Sequence, residues 1–69
     1  MSDSGELLVQ SLNVYGEIFV GGKSFGYPPV VAKDLEPGVT TIEVRVDGTV
    51  RRSRQVEVVA NRRTTVKIP

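Results

Sequence analysis

The stretch Gly21-Gly22-Lys23-Ser24 ends in Gly-Lys-Ser, the closing letters of a loop whose backbone amides and lysine cradle phosphate at the start of a helix. The upstream glycine of such a loop would have to stand at position 17, which is Glu17, and no helical pattern follows Ser24. Two glycines between alternating apolar segments predict instead a tight hairpin, because its turn needs positive φ.

Arg51, Arg52, Arg54, Arg62 and Arg63 form the most concentrated charge in the chain. Exposed together they would attract a polyanion: anionic polysaccharide, phosphate or nucleic acid. The same residues also fit solvated strand positions that pair with Glu43 and Glu57 and guard an edge against aggregation. Surface pairs of that kind are worth roughly 0–1 kcal/mol each. If segments 50–59 and 64–68 pair as a hairpin, Arg62 and Arg63 fall in its turn and Arg51 and Arg52 toward its far end, which spreads the group along a ribbon.

Phe19 has the opposite strand parity to Ile18 and Val20, so it points away from their shared face. With Phe25 or Tyr27 across the hairpin it would make an aromatic patch for a sugar or a protein partner; the alternative is a second small core beneath the connecting loops. All four aromatic residues lie in the first half of the chain, away from the arginines. Binders of single-stranded nucleic acid place stacking rings along a basic groove, so nucleic acid is disfavoured as a partner. Asp34, Glu36 and Asp47 sit in expected turns, where carboxylates cap backbone amides.

The chain has no histidine and no cysteine. Disulfides, the usual zinc sites, the commonest general base near neutral pH and the best thiolate nucleophile are all excluded. No catalytic residue, metal or cofactor is expected, and the protein does not read as an enzyme.

With 69 residues the chain makes one small domain. A chain of this size buries only about 60% of the surface it exposes when unfolded. Hydrophobic residues make up 39% and charged residues 25%, the balance of a folded soluble domain rather than a disordered or membrane-embedded one. No apolar run is long enough to span a bilayer. The net charge of +1 hides an asymmetry: residues 1–44 carry two cationic and six acidic side chains, residues 45–69 seven cationic and two acidic. The opening Met1-Ser2-Asp3-Ser4-Gly5 lacks the basic region and apolar core of a secretory signal. Taken as a complete chain it would be cytoplasmic.

Thirteen valines and three isoleucines stand against four leucines, and branching at Cβ favours strands. Residues 1–4 read as a disordered tail, and 5–69 as one domain. Leu7, Val9 and Ser11 share one strand face, Ile18 and Val20 another, Val30 and Ala32 a third. Pro28-Pro29 closes a short return strand, and Glu36-Pro37-Gly38 and Asp47-Gly48 read as turns. Thr40, Ile42, Val44 and Val46 alternate with Thr41, Glu43 and Arg45 along a half-buried strand. In the next strand Arg52 and Arg54 share parity with Val56 and Val58, so the inward pattern fails in its first half and predicts a bulged start that projects beyond the sheet. Thr64, Val66 and Ile68 alternate in a closing strand. The fold class is all-β: a small antiparallel β-sandwich, or an open barrel, of six or seven short strands.

This order of turns and strands resembles the PEGA domain, a small β-sandwich module of bacterial and archaeal proteins. Gly5, Leu7, Val9 and Ser11 match its opening; Gly16, Ile18-Phe19-Val20, Gly21-Gly22, Gly26 and Pro28-Pro29 match its next strand and turn; Leu35, Pro37-Gly38, Ile42, Val44, Gly48 and Val56-Glu57-Val58 match the remainder. Thr49 stands where the family has an aromatic, Gly21 where it has aspartate, and Pro28 where it has threonine. Asn13-Val14-Tyr15-Gly16 represents the eponymous stretch only loosely. The resemblance implies a non-catalytic spacer or interaction module outside the membrane, within a cell-envelope or receptor-kinase protein, contacting a protein or a cell-surface polysaccharide.

Overall fold

The computed structural model describes residues 3–69. Seven strands follow one another: β1 (Gly5–Ser11), β2 (Glu17–Val20), β3 (Lys23–Gly26), β4 (Val30–Leu35), β5 (Gly38–Val46), β6 (Thr49–Val58) and β7 (Arg63–Ile68). They form two sheets, ordered β4-β1-β7 and β3-β2-β5-β6. Among the described residues no helix is long and apolar enough to cross a membrane. The all-β reading of the valine-rich alternation is borne out, as a small β-sandwich.

Each strand except β3 gives one face to a shared core of Leu7, Val9, Ile18, Val20, Val30, Ala32, Ile42, Val44, Val58, Val66 and Ile68. Among the described residues no polar or charged side chain is buried. Burying a Val, Leu or Ile side chain is worth about 1.5–3 kcal/mol, against roughly 0–1 kcal/mol for an exposed ion pair. Apolar packing between the sheets therefore dominates, and the surface charges are free for other uses.

The turns have the conformations their residues demand. Gly21 and Gly22 both take positive φ, at 59° and 85°, as do Asp47 and Gly48, at 52° and 80°, so both hairpins turn in the mirror-image sense that matches strand twist. The Ser24 hydroxyl donates to the Glu17 carboxylate and staples the first hairpin. The short return strand before Pro28-Pro29 runs from Lys23 to Gly26 and leaves Tyr27 outside it.

Two expectations are corrected. The sandwich is not wholly antiparallel, because β7 pairs parallel with β1, from Glu6 opposite Arg63 to Ser11 opposite Ile68. Nor do β6 and β7 form a hairpin: they are edge strands of different sheets. Leu7 and Val9 are completely buried at the centre of their sheet, and β7 covers a flank of β1 that a β6–β7 hairpin would have left bare. The crossing segment runs against Gly5, where a Cβ would lie 2.4 Å from the Val59 carbonyl oxygen and 2.6 Å from Val58 Cγ1. Only glycine leaves room for that passage. Of the tail expected over 1–4, Met1 and Ser2 lie outside the described residues, and the Ser4 carbonyl accepts the Asn61 N–H at 2.7 Å.

The β5–β6 hairpin forms an arm. Its ladder shifts between Val44, opposite Arg52, and Arg45, opposite Val50, so that Arg51 is the extra residue of a bulge. Ten residues of strand span about 33 Å, which accounts for a molecule measuring 37 × 19 × 17 Å. The bulged, projecting start of β6 is where the parity failure of Arg52 and Arg54 places it.

Candidate functional site

Arg52 and Arg54 lie on the inward face of β6, opposite the fully buried Val44 and Ile42. An arginine there lays its aliphatic stem along apolar neighbours and keeps its guanidinium in water. The Arg54 Nη1 donates to the Lys67 carbonyl at 3.2 Å, and the Arg52 Nε to the Pro69 carbonyl at 3.2 Å. Both therefore reach from the edge of one sheet to the edge of the other, across the open side of the sandwich. Beside them runs an open cleft of about 830 Å³ between Arg54–Glu57 on β6 and Thr64–Lys67 on β7.

The backbone on both margins of this cleft lacks a strand partner. The Gly21 N–H donates to the Thr41 carbonyl at 3.0 Å, so Thr41 faces β2. By the alternation of an antiparallel ladder, Thr40, Ile42 and Val44 face β6. Their partners Val56, Arg54 and Arg52 use up the inner side of β6. Ser53, Gln55 and Glu57 consequently point their N–H and C=O groups outward. On β7, the Ile68 carbonyl accepts the Leu12 N–H at 2.8 Å, so that of Lys67 faces away from β1, where Arg54 meets it.

Arg51, Arg52 and Arg54 follow one another on the arm, and Lys67 joins Arg54 at the cleft from β7; strand alternation gives no sign of Lys67's place, because it does not reveal that β7 lies across the gap from β6. Arg62 and Arg63 stand at the other end of β6, beyond Val58. Arg63 pairs with Glu6 at 3.0 Å, and both arginines line a separate hollow with Ser4, Glu6 and Asn61. The five arginines are thus spread, as expected, but by a crossover between sheets rather than along a hairpin.

The aromatic patch of Phe19, Phe25 and Tyr27 does not form, because the three rings go three ways. Phe19 lies on the outer face under Arg45, whose guanidinium carbon is 4.1 Å from the ring centroid. That guanidinium is also held by Glu43 at 2.6 Å. Phe25 packs against the core. Tyr27 stacks on Tyr15 with centroids 5.3 Å apart. The signal for this last pair was the placement of the β1–β2 and β3–β4 connections at one end of the molecule, which alternation alone does not reveal. Leu12, Tyr15, Pro28 and Pro29 line a cleft of about 250 Å³ there with Gln10 and Ser11. The Ser11 hydroxyl, bonded to the Val14 carbonyl, holds the loop.

Gly22-Lys23-Ser24 lies in a hairpin with no helix behind it, so the phosphate-loop letters have no cradle. Among the described residues no three acidic side chains gather where a metal could be held. Compared with known proteins, the chain matches no family model, no curated protein and no solved structure.

Proposed function

We propose that this chain is a non-catalytic interaction module that binds an anionic partner on the open β6–β7 side of its sandwich. The observation that carries the reading is the placement of Arg54 and Lys67 on the two margins of a cleft that no strand fills among the described residues, with Arg52 reaching across to Pro69 next to them and Arg51 following on the same strand. Cationic side chains focused along a concave margin raise the local concentration of an anionic ligand and speed its capture. A protein partner with an acidic segment is favoured over a purely electrostatic polyanion site, because the cleft offers unpaired backbone groups and the apolar flanks of Val56, Val59 and Val66 along with the charge. The resemblance to PEGA domains extends the proposal to an extracytoplasmic setting, with the module as one unit of a larger envelope or receptor-kinase protein.

Retention on immobilised heparin and on immobilised poly-glutamate, followed across a salt gradient, tests the anionic-partner reading. The parent protein should be held at low salt and released as salt rises. The triple variant R51A/R52A/R54A should not be held, whereas Arg45→Ala should behave as the parent, because Arg45 is engaged with Phe19 and Glu43 on the opposite face of its sheet. Failure of the parent to be held on either matrix at low salt overturns the proposal.

A further inference from the structure

The cleft beside β6 combines three things that a strand-shaped ligand needs. Its margin at Ser53, Gln55 and Glu57 presents outward N–H and C=O groups without a ladder partner, since β6 pairs with β5 alone. The flanking side chains Arg52, Arg54 and Val56 alternate along the inward face at the spacing of a strand. The volume of about 830 Å³ alongside residues 54–57 leaves space for a segment of several residues.

Charge selects among the possible occupants. A second copy of the chain adding β6 to β6 about Ser53 would set Arg52 of one copy against Arg54 of the other, and like charges directly opposite each other destabilise a pair. A segment with carboxylates at those positions meets two guanidinium groups instead. Arginine has five N–H donors; Arg54 uses Nη1 on the Lys67 carbonyl, and Arg52 uses Nε on Pro69 and Nη1 on Arg51. Donors therefore remain for a carboxylate without breaking the bridges between the sheets.

Building on the anionic-partner reading, we propose that the free edge of β6 takes up an extended acidic peptide as an added antiparallel strand. The ligand pattern is apolar-x-acidic-x-acidic, with the apolar residue opposite Val56 and the two carboxylates opposite Arg54 and Arg52. The intervening residues stand opposite Gln55 and Ser53 and exchange backbone hydrogen bonds with them. Main-chain bonds supply affinity and alternate side chains supply selectivity, as in other strand additions.

The probe is the peptide Thr-Val-Thr-Glu-Thr-Glu-Thr, titrated into the intact chain at low salt by calorimetry. Two versions carry a single N-methyl group and the same charge: one on the threonine opposite Gln55, which removes a ladder donor, and one on the first glutamate, whose N–H points away from β6. A lost hydrogen bond together with a blocked approach should weaken the first by about tenfold or more and leave the second within about twofold of the parent peptide. Lysines in place of the glutamates should abolish binding. Gln55→Pro provides a second arm, because it removes an N–H that β5 does not use, and edge strands tolerate proline. This variant should keep a β-type circular-dichroism spectrum and retention on heparin while losing the peptide. If the two N-methyl peptides bind equally, or if heparin is held and the peptide is not, strand addition is overturned while the anionic-partner reading stands. If neither ligand is held, both fall.

Discussion

At the scale of single residues, two glycines hold their positions for different reasons. Gly5 has no positive φ; it is needed because a Cβ would stand 2.4 Å from the Val59 carbonyl oxygen, and a backbone atom cannot swing aside. Gly21 has φ 59° and one close neighbour, the Thr40 hydroxyl 3.3 Å from an added Cβ, a tight contact with a side-chain atom that can shift by a few tenths of an ångström. Asparagine tolerates that left-handed conformation, and Asn-Gly is a preferred pair for this turn. Gly5→Ala should therefore cost about 1–3 kcal/mol through forced overpacking, while Gly21→Asn should stay within about 0.5 kcal/mol of the parent. In a domain this small, 1 kcal/mol moves Tm by about 4–8 °C, so thermal melts followed by circular dichroism separate the two. A Gly5→Ala protein melting with the parent would mean that the β6–β7 crossover does not pass where the structure puts it. The turn at Gly21-Gly22 was legible from two adjacent letters and their flanks. The role of Gly5 was not, because the residues it makes way for lie at the opposite end of the chain.

At the scale of elements, alternation reveals which face of a strand is buried but says nothing about its neighbour. Thr40, Ile42, Val44 and Val46 identified β5 and its inward face, and the paired parity of Ile18 with Val20 and of Val30 with Ala32 did the same for β2 and β4. The same rule could not place β7 beside β1, because Thr64, Val66 and Ile68 would alternate identically in a hairpin with β6. What decides is the global need to cover Leu7 and Val9. The arginines show the same division: the misfit of Arg52 and Arg54 on an inward face was visible in the sequence, and its cause, a gap between two sheets that they bridge, was not. The parallel register can be tested directly, since Gln10 stands opposite Lys67 and the chain contains no other cysteine to compete. Neighbouring strands bring such Cα pairs within disulfide reach. The double variant Q10C/K67C should oxidise to an intramolecular crosslink, seen as a two-proton mass loss without dimer. Closing a loop of that length should raise stability by about 2–4 kcal/mol. A chain that forms only intermolecular disulfides would refute the β1–β7 pairing.

At the scale of the whole molecule, the near-zero net charge is the sum of two stretches of opposite sign, which meet at the Arg63–Glu6 and Arg45–Glu43 pairs. The basic half of the chain supplies both margins of the open side, β6 and β7, which are two of the four edge strands of the described sheets. An unpaired edge invites copies of itself, and cationic side chains on it are a common defence. That role for Arg52 and Arg54 is testable, because their inward parity makes the consequence of removing them specific. Replacing both with valine would join Val56 and Val58 into one continuous apolar face along β6 while leaving its outward N–H and C=O groups free. Within the folded monomer the change adds apolar surface beside Ile42 and Val44, so the Tm should hold or rise. Between monomers it removes the repulsion that opposes edge-to-edge pairing. R52V/R54V should therefore sediment as a larger species than the parent at equal concentration, and R52E/R54K, which alternates sign along the edge and suits antiparallel self-pairing about Ser53, should also associate but dissociate as salt is added. If R52V/R54V sediments with the parent and melts no lower, the arginines are not what keeps this edge open, and their concentration there would have to be explained by ligand capture alone.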